Sequence, residues 1–264
     1  MLPHRVMAAA EADRLALLAD VHVSGGCATG MAKRLSVVVK QILEKRPQMV
    51  LVAGDCAYLK GKVADYREYM RRVRPLAEAG VSMHVTLGNH DHRERFWDML
   101  PGERRPHRQA MVVEGRNANW FLLDSLGKTN GAGELGKDQL EWLAAELDGK
   151  ADRPAIVMLH HDPIRNGKVG GGSLADSERL MAIVRSQRQV KAMVWGHTHA
   201  FNVSQDVSGI HLINLPATGY KLWGRSFLGW VGCEVHAGHT TLRVHTLNAQ
   251  RKENGATYQL KWRV

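Results

Sequence analysis

Met49-Val50-Leu51-Val52-Ala53-Gly54-Asp55 is the stretch that decides the fold. It is a short apolar run that stops at a glycine and then presents one carboxylate. Runs of this length bounded by turn residues read as strands buried on both faces. A carboxylate just past the carboxyl end of such a strand sits at the rim where open α/β sheets bind ligands. Four other segments end the same way. Residues 15–19 stop at Asp20, 81–87 at Gly88-Asn89, 155–159 at His160, and 190–195 at Gly196-His197. Five runs therefore deliver metal-type ligands to one edge.

Between these runs the chain alternates with helical patterns. Met31, Leu35, Val38, Val39, Ile42 and Leu43 fall at helical spacing until Pro47. A second helix is expected from about 63 to 79, closed by Gly80, and a short one over 93–100, ended by Pro101. Residues 111–114 and 120–124 read as strands, and 139–147 is amphipathic, with Leu140, Leu143 and Leu147 on one face. A further helix is expected near 175–188. Beyond it the pattern turns to short strands at 200–204, 211–215, 227–235, 240–247 and 258–262. Such alternation argues for a βαβ core, and two mixed sheets packed together and flanked by helices suit this order. With no internal repeat, low-complexity tract or linker, residues 1–264 are expected to form a single domain. Residues 166–173, with four glycines and no periodicity, are either a mobile loop beside the site or an ordinary connector.

Composition narrows the class. A chain of 264 residues has ample apolar content for a core. No stretch approaches the ~20 apolar residues of a membrane-spanning helix. Residues 1–14 are polar and lack the apolar centre of a secretory signal, so a soluble cytoplasmic protein is expected. Cys27, Cys56 and Cys233 are an odd number and far apart, which fits reduced thiols better than disulfides or a zinc ribbon. Cys56 abuts Asp55 and is either a soft extra ligand or, more plainly, a small packing residue. The formal charge of +10 suggests anionic partners without identifying one. Basic residues concentrate at 67–74 and at Arg104-Arg105-Pro106-His107-Arg108. Neither cluster is interleaved with aromatics, so solvated basic faces are favoured over a nucleic-acid groove.

Taken singly, the ligand blocks are weak signals; the set is specific. The order Asp-x-His, Gly-Asp, Gly-Asn-His-Asp, His-His and Gly-His-Thr-His resembles the calcineurin-like metallophosphoesterases from about Leu15 to Phe201. Gly88-Asn89-His90-Asp91-His92-Arg93, followed by Phe96 and Leu100, looks like the class III cyclic nucleotide phosphodiesterases within that superfamily. The resemblance implies a four-layer αββα sandwich of two mixed β-sheets, completed by the C-terminal strands of 200–264. It implies that Asp20, His22 and His199 hold a first metal, that Asn89, His160 and His197 hold a second, and that Asp55 bridges them. Iron, manganese, zinc or cobalt suit such oxygen and imidazole donors, and a mixed pair is allowed. A homodimer is common among the proteins it resembles.

The chemistry follows from charge. A phosphodiester is anionic and repels hydroxide. Paired cations ~3.5–4 Å apart neutralise it and lower the pKa of bound water toward ~7, so that hydroxide can attack phosphorus. The resemblance places His90 toward the substrate, where it protonates or stabilises the departing alkoxide. Asp91 is expected to orient His90 or a ligating histidine. His161 points to the opposite face from His160 if the two alternate in a strand. Asn89, His90, His92 and Arg93 are candidates to contact substrate. Gly54-Asp55-Cys56-Ala57-Tyr58 also matches a purple acid phosphatase block whose tyrosine ligates ferric iron. Those enzymes lack a histidine at the place of His22, so packing is the expectation for Tyr58. His84, His211, His236, His239 and His245 read as structural or surface residues.

The favoured function is hydrolysis of cyclic nucleotides or similar small diesters. The alternatives are a broad-specificity phosphomonoesterase or nuclease built on the same metals, and a non-catalytic scaffold that keeps the fold. A degenerate scaffold is expected to have lost ligands, and none of the seven is missing.

Overall fold

The computed structural model describes residues 11–25, 30–100, 109–127, 131–222 and 226–264. Cys27, Pro101 and the basic run Arg104 to Arg108 lie outside them. In chain order the first part contains β1 (Asp13–Ala19), α1 (Gly30–Lys45), β2 (Met49–Ala53), α2 (Val63–Glu78), β3 (Ser82–Thr86) and α3 (Arg93–Trp97). There follow β4 (Met111–Glu114), β5 (Asn119–Leu122), α4 (Lys137–Gly149), β6 (Ala155–Met158), β7 (Ile164–Arg165), β8 (Lys168–Val169) and α5 (Ser177–Ser186). The remainder is β9 (Val190–Trp195), β10 (Asn202–Gln205), β11 (His211–Asn214), β12 (Gly229–His236), β13 (His239–Thr246) and β14 (Thr257–Lys261).

These strands form two six-stranded mixed sheets, ordered β14-β13-β12-β1-β2-β3 and β10-β11-β9-β6-β5-β4, with β7-β8 as a separate hairpin. The apolar runs explain the layering. In β1 and β2, Leu15, Leu17, Leu51 and Ala53 face the second sheet and meet Trp120, Ile156, Met158 and Val194. Their neighbours Ala16, Leu18, Val50 and Val52 face outward under Leu35, Val38 and Ile42 of α1 and Tyr66, Tyr69 and Val73 of α2. Period-two side chains with both faces covered leave no polar position, hence the unbroken runs. The outer face of the second sheet is closed by α4 and α5 through Leu143, Leu147, Leu180 and Val184 on Phe121, Val157 and Met193. The layers are thus αββα, as the resemblance implies.

One correction concerns how the five ligand-bearing strands meet. β1, β2 and β3 run parallel in the first sheet, whereas β6 and β9 run parallel in the second. Burial on both faces marks β1, β2, β6 and β9 as covered strands, with β3 an edge strand, but carries no information on which sheet each joins. In the first sheet Ala19, Ala53 and Thr86 lie in one register row, so the loops that follow open at one edge. The loops after β6 and β9 reach that same edge, bringing His160 and His197 to it.

Candidate metal centre

The loops at this edge are built on an unusual backbone. Asp20, His22, Asp55, His197 and His199 all have φ between 50° and 68°. Non-glycine residues rarely adopt this left-handed region, and clusters of them mark functional sites. The conformation survives because neighbouring loops over-determine it. Asp20 N donates to the Gly54 carbonyl (3.2 Å), His22 N to that of Asp55 (2.8 Å), and Val23 N to that of Cys56 (2.9 Å). His90 N donates to Asp55 Oδ1 at 2.8 Å, and His197 N to the Asp20 carboxylate at 3.0 Å. Gly54 has no room for a side chain: a Cβ there would sit 2.7 Å from both Gly88 N and the His160 ring.

Seven donor atoms converge between these loops. On one side, His199 Nε2 lies 3.2 Å from His22 Nε2 and 3.3 Å from Asp20 Oδ1. On the other, Asn89 Oδ1 lies 3.2 Å from His160 Nε2 and 3.0 Å from His197 Nδ1. Asp55 Oδ2 stands between, 3.5 Å from His22 Nε2 and 3.3 Å from His160 Nε2. Main-chain carbonyls hold three of the rings. His160 Nδ1 donates to Ala53 O at 2.7 Å, His199 Nδ1 to Tyr220 O at 2.7 Å, and His22 Nδ1 faces Tyr58 O at 3.4 Å. Nε2 of each ring is thereby turned inward. Lone pairs of His22 and His199 that face one another at 3.2 Å repel unless positive charge lies between them. This donor set fits two cations sharing Asp55, because carbonyl-anchored imidazoles beside carboxylates are the usual surroundings of a metal.

Electrostatics agree. Burial opposes the ionisation of Asp55, but His160 and His22 hold its carboxyl far below the usual range. Burial likewise opposes a charged Asp20, and the hydrogen bond and charge of His199 keep it low. Burial would discharge His160, yet the Asp55 carboxylate pushes it up to about 10. Burial prevails at His22 and His197, each lowered to about 4. Buried carboxylates therefore draw positive charge to the spot where Asp55 and His160 meet.

The cleft above these atoms measures about 360 Å³ and is lined by Asp55, Asn89, His90, Arg165, His197, Thr198, His199, Tyr220 and Leu222. The His90 ring stands edge-on to that of His22 at 4.9 Å, and its Nδ1 is buried without a hydrogen-bond partner. Some expectations need correction. Among the described residues the Asp91 carboxylate is hydrogen-bonded to no histidine. It accepts from Gly88 N (3.0 Å), Ala57 N (3.1 Å), Cys56 N (3.3 Å) and Tyr66 Oη (3.3 Å), knotting the loops after β2 and β3. Burial and the nearby Asp55 charge raise its pKa to about 7.

Arg93 and His92 do not line the cleft. The Arg93 guanidinium grips Asp124 at 2.6 and 3.1 Å and the Leu126 carbonyl at 2.8 Å, while His92 N donates to Tyr66 Oη at 2.6 Å. His161 stays nearer than strand alternation predicts, because β6 ends at Met158. Its Nδ1 pairs with Ser125 Oγ at 2.8 Å, and its ring lies 5.0 Å from that of His197. Tyr58 is not packed: it is 37 % exposed, and what it offers His22 is its carbonyl. Cys56 is buried in the core beneath α2, as its packing reading has it. Of residues 166–173, Asn166 and Gly167 turn the β7–β8 hairpin, Lys168 and Val169 form its second strand, and 170–173 lie beyond it. His211 bonds the Lys261 carbonyl, His236 stacks on His239, and His245 on Trp230. Tyr220, Leu222, Arg165 and Ser125 were invisible in the sequence. Each stands alone in a loop or hairpin with no spacing signal.

With this geometry in place, the model of one protein family, the calcineurin-like phosphoesterases, matches residues 13–201. The chain belongs to the calcineurin-like phosphoesterase family. A cAMP/cGMP dual specificity phosphodiesterase of Mycobacterium tuberculosis is 30 % identical over 216 residues, covering 77 % of this chain and 66 % of that protein. The 3',5'-cyclic adenosine monophosphate phosphodiesterase CpdA of Pseudomonas aeruginosa is 28 % identical over 194 residues, covering 70 % and 69 %. The chain therefore spans about two thirds of the length of these relatives. Among solved structures, a dimetal phosphatase from Danio rerio superposes with a TM-score of 0.72 at 16 % identity, covering 96 % of this chain and 100 % of that one. That likeness bears on the fold. This phosphoesterase has no described helix long and apolar enough to cross a membrane.

Proposed function

We propose that this phosphoesterase is a binuclear metal-dependent phosphodiesterase acting on cyclic nucleotides or similar small diesters, with residues 1–264 as one catalytic domain. The observation that carries the reading is the inward-facing donor set centred on Asp55. Asp20, His22 and His199 would hold one ion, Asn89, His160 and His197 the other, and Asp55 both. When bound, the ions supply neutralising charge for the phosphate and acidify water. Iron, manganese, zinc or cobalt, a homodimer and a cytoplasmic location belong to the same reading.

The chain's own part is orientation and proton supply. The carbonyls of Ala53 and Tyr220, with that of Tyr58 facing His22 Nδ1, keep the ligating nitrogens aimed inward. His90, fixed through its main-chain bond to Asp55, lines the cleft and is placed to donate to the departing oxygen. Asp91 and Tyr66 hold the loop that carries Asn89 and His90. Within α2, Arg71 and Arg72 pair with Glu68, and Arg74 with Glu78, so much of that basic cluster is offset by its own helix. This favours small diesters over nucleic acid.

Protein reconstituted with metal is expected to cleave bis(p-nitrophenyl) phosphate and to lose that activity with chelator or in Asn89→Ala. Much faster cleavage of monoesters would replace the diesterase reading with a phosphatase one.

A further inference from the structure

The β7–β8 hairpin carries a feature that neither the metal ligands nor His90 explains. Asn166 and Gly167 have φ of 52° and 76°, the left-handed pair that a two-residue turn between strands demands. The hairpin is stapled at its base. The Asp162 carboxylate, 1 % exposed, accepts Ser173 N at 3.0 Å and the Ser173 hydroxyl, and the Asp162 carbonyl accepts Ser173 N at 3.1 Å. The same carboxylate holds Arg165 by Nε at 3.2 Å and Nη2 at 3.5 Å. One side of the guanidinium fork is thus fixed. Nη1 has no hydrogen-bond partner among the described residues, and Arg165 lines the cleft beside Asn89 and His197.

Two observations point to an anion there. Arg165 is the one permanently cationic side chain among the described residues lining the cleft. It also pairs directly across the hairpin with Lys168. Like charges opposite each other in a two-stranded ladder are destabilising unless something else offsets them. Asp162 offsets part of this charge and is itself turned toward Ser173.

We propose that Arg165 is a specificity-determining residue of the cleft, binding the extra negative charge of a terminal phosphoryl group. The inference rests on the phosphoesterase reading of the site. A diester carries one negative charge, whereas a monoester or free phosphate carries close to two at neutral pH. The two buried carboxylates of the site, Asp20 and Asp55, offset part of the charge that bound ions would supply and leave less of it for the second charge of a monoester. A guanidinium held at the rim, with N–H donors to spare, compensates for it and leaves a diester less affected. Arg165 accordingly sets how well the site takes monoesters and retains phosphate after turnover.

The test compares wild type, Arg165→Gln and Arg165→Lys, all metal-loaded and matched for metal content. Inorganic phosphate binding is measured by calorimetry, and kcat/KM is measured for p-nitrophenyl phosphate and bis(p-nitrophenyl) phosphate. In Arg165→Gln, phosphate affinity is expected to fall by ~10-fold, with a similar rise in the diester-to-monoester ratio of kcat/KM; Arg165→Lys should restore part of both. An unchanged ratio with unchanged phosphate affinity, or a loss shared equally by both esters, overturns the proposal and leaves Arg165 as a hairpin latch. Wild-type protein that hydrolyses neither ester sinks the phosphoesterase reading instead, and the calorimetric arm still decides whether Arg165 holds phosphate.

Discussion

His22 and His199 face each other with their Nε2 atoms 3.2 Å apart, and the opposite nitrogen of each ring is turned to a main-chain carbonyl. Without a cation there, the two nitrogens must share a proton or repel each other inside a buried site. Metal loading is therefore expected to stabilise the fold as well as enable chemistry. At free metal ~100-fold above the dissociation constant, linkage contributes about 2.7 kcal/mol. Thermal melts should show the midpoint rise with metal and drop with chelator. A midpoint indifferent to both would remove the metal centre from this protein.

Tyr66 is the hinge pin of the loop behind the site. Its hydroxyl donates to Asp91 Oδ1 at 3.3 Å and accepts His92 N at 2.6 Å, in a fully buried setting. Tyr66→Phe strips both bonds and leaves the carboxylate and the amide short of partners. A loss of ~1–3 kcal/mol in denaturant unfolding is expected, with a smaller effect on turnover than Asn89→Ala. If the variant is as stable as wild type, Asp91 is held by its main-chain donors alone.

His245 makes a pH-dependent contribution far from the chemistry. Its ring lies flat on Trp230 at 4.1 Å, and burial, with help from Lys45 and Arg243, lowers its pKa from 6.5 to about 4. The unfolded chain takes up this proton first as pH falls. The stability held by neutral His245 is therefore complete above pH 6.5 and is lost progressively between 6.5 and about 4. His245→Gln should flatten the stability profile across that window, read by urea melts at half-unit steps. A parallel profile in the variant would assign the acid sensitivity to other groups.

Much of this was legible before the fold was known, and for a local reason. Asp20, Asp55, His160 and His197 each follow a run that is apolar because both strand faces are covered, while Asn89 follows β3, an edge strand buried only at its end. Strand and ligand are read from adjacent residues. What escaped depends on partners remote in the chain. Arg93 reads as a substrate contact until Asp124, 31 residues on, claims its guanidinium. Asp91 reads as an imidazole partner until Cys56, Ala57 and Tyr66 surround it. Tyr220 acts on His199 through a carbonyl, which every residue type possesses, so no side-chain pattern could announce it. The hairpin that carries Arg165 looks like a featureless glycine stretch because its strands are only two residues each.

The division of β1–β3 and β6/β9 between two sheets has a mechanical consequence. Asp20, His22, Asp55 and Asn89 hang from the first sheet, while His160, His197 and His199 hang from the second. Each candidate ion would then act as a rivet through both layers. Shearing one layer over the other, or prising them apart at that end, would require drawing the rivets first. Amide exchange near Ala19 and Trp195 should slow together when metal is added, even though the two residues belong to different sheets.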